Sequence, residues 1–407
     1  MPTDYIKKLK HKINGTKNKE EPVLSTKDIL KTFQQKRNKL IKYFDHFITT
    51  ALIDDEIIND EGASFTEIKR TGDRITKKAL PQGNKKLIDE INWYLYFKGR
   101  ITISNSYLPK ILDYDLDKEN PSYTMKHYSC PSFRTLIFDH KISNKEIIDR
   151  FTHINKFLIK NIYSHESIET PINYVQKAHF EKLKKRISIS AKKAPRLIDI
   201  FKTKVLTINE EKYINLSALI PEIIKDDEIT DKLKPPRLHM VHGDLHYNNI
   251  LCGVRKNVNI LLDCRGRSPY GTIQCDVAYD IAKWIHEFKG KYSLIERNEY
   301  CIFLHEKRGE IEINYEFTNE EILNKYDELI NPLNDILDKQ FKNKDFGNWR
   351  YRAEFIESML YLTMIPFHLN SLHEGLMCYV RGIISLNEWM KKYHPEKYSK
   401  LSRRFLK

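Results

Sequence analysis

Apolar positions recur at helical spacing near the start of the chain and then give way to a two-residue alternation. Ser25-Thr26-Lys27-Asp28 forms a helix-start signature, and Ile29, Phe33, Leu40, Phe44, Phe47, Ile48 and Ala51 follow at helical intervals, which predicts one long amphipathic helix. The residues before it, 1 to about 24, are rich in Lys and Glu and poor in apolar side chains, the composition of a mobile tail. From Glu61 the pattern is that of strands: Gly62-Ala63-Ser64 opens the run Phe65–Thr71, Gly72-Asp73 signals a turn, and Ile75–Leu80 returns. Leu87, Ile91, Tyr94 and Leu95 then mark a helix over 84–97, and Leu108–Asp113 and Ser122–Tyr128 read as two further strands.

Beyond Cys130-Pro131-Ser132 helical periodicity dominates. Ser143 and Glu146 form a capping box ahead of Ile147, Phe151, Ile154 and Phe157, a second helix is expected over 172–189 with its lysines as a solvated face, and the remainder from Gly290 to Lys407 is expected to be helical. Between these helices lies His242-Gly243-Asp244-Leu245-His246-Tyr247-Asn248-Asn249, a polar loop held between the apolar flanks Leu238–Val241 and Ile250–Cys252. A turn over 253–257 followed by Val258, Ile260, Leu261 and Leu262 predicts a hairpin that returns Asp263 to the side of Asn249. One carboxylate able to take a proton, with an amide oxygen and a second carboxylate suited to a hard cation, is the set that phosphoryl transfer from a magnesium-bound nucleotide requires. His242 and His246 would need a helix to converge on a metal, and Gly243 with the Asn pair argues for a loop, so His242 is expected to brace it.

Lys plus Arg exceeds Asp plus Glu by 69 − 55 = +14 over 407 residues, but the lysines are spread along the whole chain, so no nucleic-acid partner is expected. Six cysteines without a Cys-x-x-Cys pair, no apolar leader and no run of 18 apolar residues point to a soluble, cytoplasmic chain with no membrane partner.

The string His242-Gly243-Asp244-Leu245-x-x-x-Asn249-Ile250-Leu251, followed by Leu261-Leu262-Asp263 and by Asp276-Val-Ala-Tyr-Asp280-Ile-Ala, resembles the aminoglycoside phosphotransferase and choline kinase family, with ordered landmarks from Gly62 to Trp284. The resemblance implies an α+β, bilobal protein-kinase-like fold: an N-terminal helical extension over 1–60, a small antiparallel-sheet nucleotide-binding lobe over 61–128, and a larger, mainly helical catalytic and acceptor-binding lobe over 129–407. It implies a kinase that moves the γ-phosphate of ATP or GTP, with Mg2+, onto a hydroxyl of a small molecule. Asp244 would be the base, and Asn249 and Asp263 would hold metal. Gly62 and Ser64 would lie over the phosphates. Lys78 is the expected phosphate lysine, with Lys77 in reserve, and Glu90 its partner; backbone groups of Lys126 and His127 would meet the adenine edge. Asp276 and Asp280 would serve as structural support. Gly243 in place of arginine, Asp263-Cys264-Arg265-Gly266 in place of Asp-Phe-Gly, and the lack of Ala-Pro-Glu favour a small-molecule acceptor over a protein.

Asp263-x-Arg265-Gly266, Asp280-Ile-Ala-Lys-Trp284 and Gly290-Lys-Tyr-Ser-Leu-Ile are similar to the branch found with bacterial surface-polysaccharide enzymes, which points to a sugar or sugar derivative. An aminoglycoside-inactivating enzyme and a catalytically silent nucleotide binder are the alternatives. Arg265 and Arg267, just past Asp263, either pair with carboxylates such as Asp276 and Asp280 or meet an anionic acceptor.

Overall fold

The computed structural model describes residues 26–45, 65–101, 107–255, 258–268, 271–307, 309–342 and 345–406. The chain divides into two units, Met1–Lys39 and Leu40–Lys407. The described part of the first is the opening of helix α1 (Thr26–Asp45), whose start at Thr26 follows the Ser25 signature. Phe47, Ile48 and Ala51, expected on the same helix, and Gly62 and Ser64, expected over the phosphates, lie outside the described residues.

The second unit holds the end of α1 and then β1 (Thr66–Thr71) and β2 (Arg74–Ala79), joined through Gly72 at φ +61, a left-handed value glycine accepts without strain. With β3 (Ile111–Asp115) and β4 (Ser122–Lys126) they form an antiparallel sheet in the order β1-β2-β4-β3. Helix α2 (Asn84–Phe97) buries Leu87, Glu90, Ile91, Trp93, Tyr94 and Phe97, the one stripe that three- and four-residue spacing produces.

Helices α3 (Phe133–Phe138) and α4 (Asn144–Asn161) follow; Ser132 caps the first and Ser143 the second, each side chain accepting a backbone N–H of the first turn. After β5 (Ser167–Glu169), the helix expected over 172–189 takes another form: a π turn, Gln176–Glu181, runs into α5 (Lys182–Lys193). Then come α6 (Leu197–Lys202), β6 (Val205–Ile208), β7 (Glu211–Ile214), α7 (Leu216–Lys225) and α8 (Asp227–Lys232). Strand β8 (Arg237–Met240) lies between β5 and β11 (Gln274–Cys275), while β9 (Ile250–Cys252) and β10 (Asn259–Leu261) form the expected hairpin.

After α9 (Ala278–Phe288) and α10 (Tyr292–Glu296) the structure departs from expectation. Instead of helix, β12 (Tyr300–Lys307) and β13 (Glu310–Phe317) pair antiparallel along their whole length, and β13 joins β6 in parallel, Glu312 opposite Thr207 and Ile313 opposite Ile208. The cause is local: Ile311 and Ile313 are buried while Glu310 and Glu312 are exposed, a period of two that only a strand resolves onto two faces. Helices α11 (Glu320–Phe341), α12 (Trp349–Met364), α13 (Leu372–Tyr393) and α14 (Pro395–Phe405) complete the chain, with α12 packed along α13 and α9. The result is a mixed α+β unit of small, mostly antiparallel sheets and a large helical region. None of the described helices is long and apolar enough to cross a membrane, and all six cysteines are free.

Candidate active site

Strand β8 delivers the chain to Val241, whose carbonyl accepts the indole N–H of Trp93 at 2.8 Å. The loop after it hangs on one carboxylate. Asp280, in the first turn of α9, accepts the backbone N–H groups of His242 (2.8 Å) and Gly243 (2.7 Å) and the hydroxyl of Tyr163 (3.1 Å). Burial pushes the Asp280 carboxyl up to about 6, and those donors oppose the shift by favouring the anion. Asp276 is equally committed: it takes a bidentate grip from Arg352 at 2.7 and 3.1 Å and accepts the Ala278 N–H. Both aspartates are thus committed to hydrogen bonds within the fold.

Gly243 turns the loop at φ +82, and a Cβ there would meet the Arg265 Cβ at 2.8 Å, so this position tolerates no side chain. His242 is buried, which lowers its pKa to about 4; neutral, its Nδ1 accepts the Asp244 N–H at 3.3 Å. Asp244 itself meets Lys283 Nζ at 2.8 Å. Burial alone would raise the Asp244 pKa, but Lys283, Arg265 and His246 outweigh it and hold the carboxyl well below the usual carboxylate range.

Asn249 donates its Nδ2 to the Asp244 carbonyl at 2.9 Å, which leaves Oδ1 as the end available to a ligand. The β9–β10 ladder extends one step further, Leu262 N–H to the Asn249 carbonyl at 2.8 Å, and so brings Asp263 alongside Asn249. Asp263 sits in the left-handed region at φ +56, where the backbone turns out of the strand.

The lysine that pairs with Glu90 is not the one expected from the sequence. Lys77, not Lys78, bridges Glu90 (3.1 and 2.9 Å) and Asp263 (2.5 Å), and Tyr123 O–H donates to the same Glu90 carboxylate at 2.8 Å. Lys77 and Ala79 are the buried residues of β2, whereas Lys78 lies on the opposite, exposed face beside Ser122 of β4. Burial disfavours the charge on Lys77, but Glu90 and Asp263 more than compensate and keep it protonated.

The backbone N–H groups of Lys126 and His127 are already engaged, donating to Lys110 O at 3.0 Å and Asp73 O at 2.7 Å, because β4 pairing and the β1–β2 turn reach that far. Arg267 pairs loosely with Asp89 at 3.9 Å instead of Asp276 or Asp280, Asp276 being taken by Arg352. Arg265 donates its backbone N–H to His242 O at 2.7 Å and its guanidinium to the Tyr279 hydroxyl at 3.3 Å.

Two residues here escape a sequence reading. Lys283 lies three residues past Asp280 on α9, one turn up the same face, and that spacing is a legible signal. Lys182 belongs to a run of lysines that reads as a solvated face, yet its ammonium lies over the Tyr279 ring, 5.5 Å from the centroid, in the pocket behind Gly243. Comparison with protein-family models finds none that matches the chain, and comparison with curated proteins finds no match.

Proposed function

We propose that residues 40–407 form a bilobal, protein-kinase-like phosphotransferase that moves the γ-phosphate of a nucleoside triphosphate onto a hydroxyl of a small molecule. The observation that carries this reading is the ion bridge from Glu90 through Lys77 to Asp263, with Asp263 beside Asn249 and Asn249 bonded to Asp244. A buried Lys–Glu pair that ends on a half-exposed carboxylate is a device for presenting a fixed ammonium to phosphate oxygens.

The donor set fits a hard divalent cation. Asn249 Oδ1 and the Asp263 carboxylate would hold it, one neutral and one anionic oxygen. Magnesium, when bound, offsets charge on the β- and γ-phosphates. The chain's own residues do the rest: Lys77 holds phosphate oxygens, Asp244 orients the acceptor hydroxyl and takes its proton, and Asp280 fixes the loop on which Asp244 stands.

Calorimetric titration of ATP and GTP with and without magnesium tests the donor half, and nucleotide consumption against a panel of sugars and amino alcohols tests the acceptor half. Magnesium-dependent binding with consumption stimulated by one hydroxyl class is expected. Failure to bind either nucleotide would sink the reading; binding without turnover on any acceptor would favour the silent nucleotide binder.

A further inference from the structure

Lys283 stands on α9 three residues past Asp280, whose carboxylate accepts the His242 and Gly243 N–H groups, so one helix carries both the ammonium and the anchor of the loop that bears Asp244. Its Nζ lies 2.8 Å from Asp244 Oδ1, with the lysine side chain 6% and the aspartate side chain 18% exposed. Burial disfavours the charge on Lys283, but Asp244 and then Tyr279 outweigh both burial and the opposing Arg265, and the ammonium stays protonated.

An ammonium has three N–H donors, and among the described residues the only ion pair of Lys283 is with Asp244. Lys77, by contrast, meets three carboxylate oxygens, two of Glu90 and one of Asp263. The Lys283–Asp244 pair is not needed to hold the loop, since Asp280 already fixes its backbone, and a buried ion pair is often no more stabilising than an apolar pair of the same volume. Its position matters to the chemistry instead. In the proposed reaction the acceptor hydroxyl sits on Asp244. Its oxygen forms a bond to the γ-phosphorus while the bond from phosphorus to the β,γ-bridging oxygen breaks; the electron pair leaves on the nucleoside diphosphate and the proton passes to Asp244. A cation one hydrogen bond away from Asp244 is within reach of a nonbridging oxygen of the phosphoryl group in flight.

We infer that Lys283 is a catalytic residue of this site: while one N–H holds Asp244, its remaining N–H groups donate to a nonbridging oxygen of the phosphoryl group during transfer. This role rests on the phosphotransferase reading and adds to it a second cation, on the acceptor side of the phosphoryl group, where Lys77 serves the donor side. Charge in such a transfer spreads over the three nonbridging oxygens, so an ammonium fixed beside the acceptor stabilises the group in flight more than it stabilises the bound nucleotide.

The test compares the full chain with Lys283→Met, Lys283→Arg, Asp244→Asn and the double variant Asp244→Asn/Lys283→Met, which removes both charges of the buried pair and so strands neither. Calorimetry measures the binding of ADP and of GDP with magnesium, and of each again with aluminium fluoride, whose complex imitates the phosphoryl group in flight. The unmodified protein should bind one diphosphate, and bind it more tightly with the fluoride. Lys283→Met should lower affinity for the fluoride complex by about tenfold or more while affinity for the diphosphate alone stays within about twofold, and Lys283→Arg should recover part of the loss. The double variant should show the same loss relative to Asp244→Asn, because an ammonium that touches phosphoryl acts whether or not residue 244 is charged; this comparison decides the matter if Lys283→Met does not fold. No gain from fluoride in the unmodified protein, an equal gain in Lys283→Met, or a double variant equal to Asp244→Asn, the mark of a lysine that acts only through the aspartate, would overturn the proposal. If neither diphosphate binds the unmodified protein, the phosphotransferase reading falls and this role with it; if a diphosphate binds and the gain ignores Lys283, only this role falls.

Discussion

Lys283 and Asp244 form a 2.8 Å ion pair between α9 and the loop after β8, and both ends are largely buried. The helix that fixes the loop backbone through Asp280 thus also fixes the charge state of the loop's principal carboxylate.

Asp244→Asn should therefore leave nucleotide affinity within about twofold and lower turnover by about 100-fold or more, because it removes proton acceptance and not the phosphate site. Lys283→Met should lower turnover with a smaller effect on nucleotide affinity, and should cost about 3 kcal/mol of stability because it strands a buried carboxylate. Steady-state kinetics on both, with denaturant melts, checks the pair. Wild-type turnover in Asp244→Asn would remove it from the mechanism.

Lys77 and Lys78 should behave oppositely. Lys77→Met leaves Glu90 buried without its cation and should lose about 3–5 kcal/mol, together with nucleotide binding. Lys78→Met, exposed and on the other face of β2, should stay within about 0.5 kcal/mol of the parent. Chemical denaturation and nucleotide titration on the two variants decide which lysine matters, and equal effects would refute the assignment.

Asp263→Ala should abolish the magnesium-dependent part of nucleotide stabilisation, and Asn249→Ala should weaken it by a smaller factor, since it removes a neutral oxygen. Calorimetry across a magnesium series is the measurement. An undiminished magnesium response in Asp263→Ala would place the cation elsewhere.

Glu287, on α9, accepts the Tyr247 N–H at 3.1 Å and the Ser293 hydroxyl at 2.7 Å in full burial, and burial raises its pKa to about 7. A carboxyl whose folded pKa lies above its unfolded value of 4.5 favours folding at low pH and loses that contribution as pH rises from 4.5 to 7. Glu287→Gln should remove this dependence, so its stability relative to the parent should grow by on the order of 2 kcal/mol between those limits. Parallel unfolding curves from pH 4.5 to 8 read it directly, and a constant difference would show that the group does not titrate there.

The β9–β10 hairpin was legible because apolar runs flank a turn, and it alone sets Asp263 beside Asn249. The choice between Lys77 and Lys78 was not, since a strand has period two and a one-residue error in register exchanges its faces; only pairing with β4 fixes which side α2 covers. Lys283 meets Asp244 across 39 positions of sequence, a contact no local pattern encodes, although its place one turn beyond Asp280 hints at it. The strands over 300–317 carry a signal of their own in the alternation Glu310-Ile311-Glu312-Ile313, but it is short and is flanked by segments of helical periodicity. Lys182 was hidden by its neighbours: in a run of lysines, nothing local marks the one a π turn rotates inward.

The parallel contact of β13 with β6 bears on how the chain is made. Ile208 finds its partner Ile313 only after the ribosome has added the intervening residues, while the β6–β7 hairpin can form as soon as it emerges. Until then the β6 edge of that hairpin is unpaired while the nascent chain lengthens, and closing so long a loop is slow. Its tip carries Asn209 and Glu210 in left-handed conformations, and Asn209 bonds the backbone of Tyr315 from both ends of its amide. Asn209 is thus a latch that closes late in synthesis, and loss of its amide should show first as a lower yield of soluble chain at elevated growth temperature.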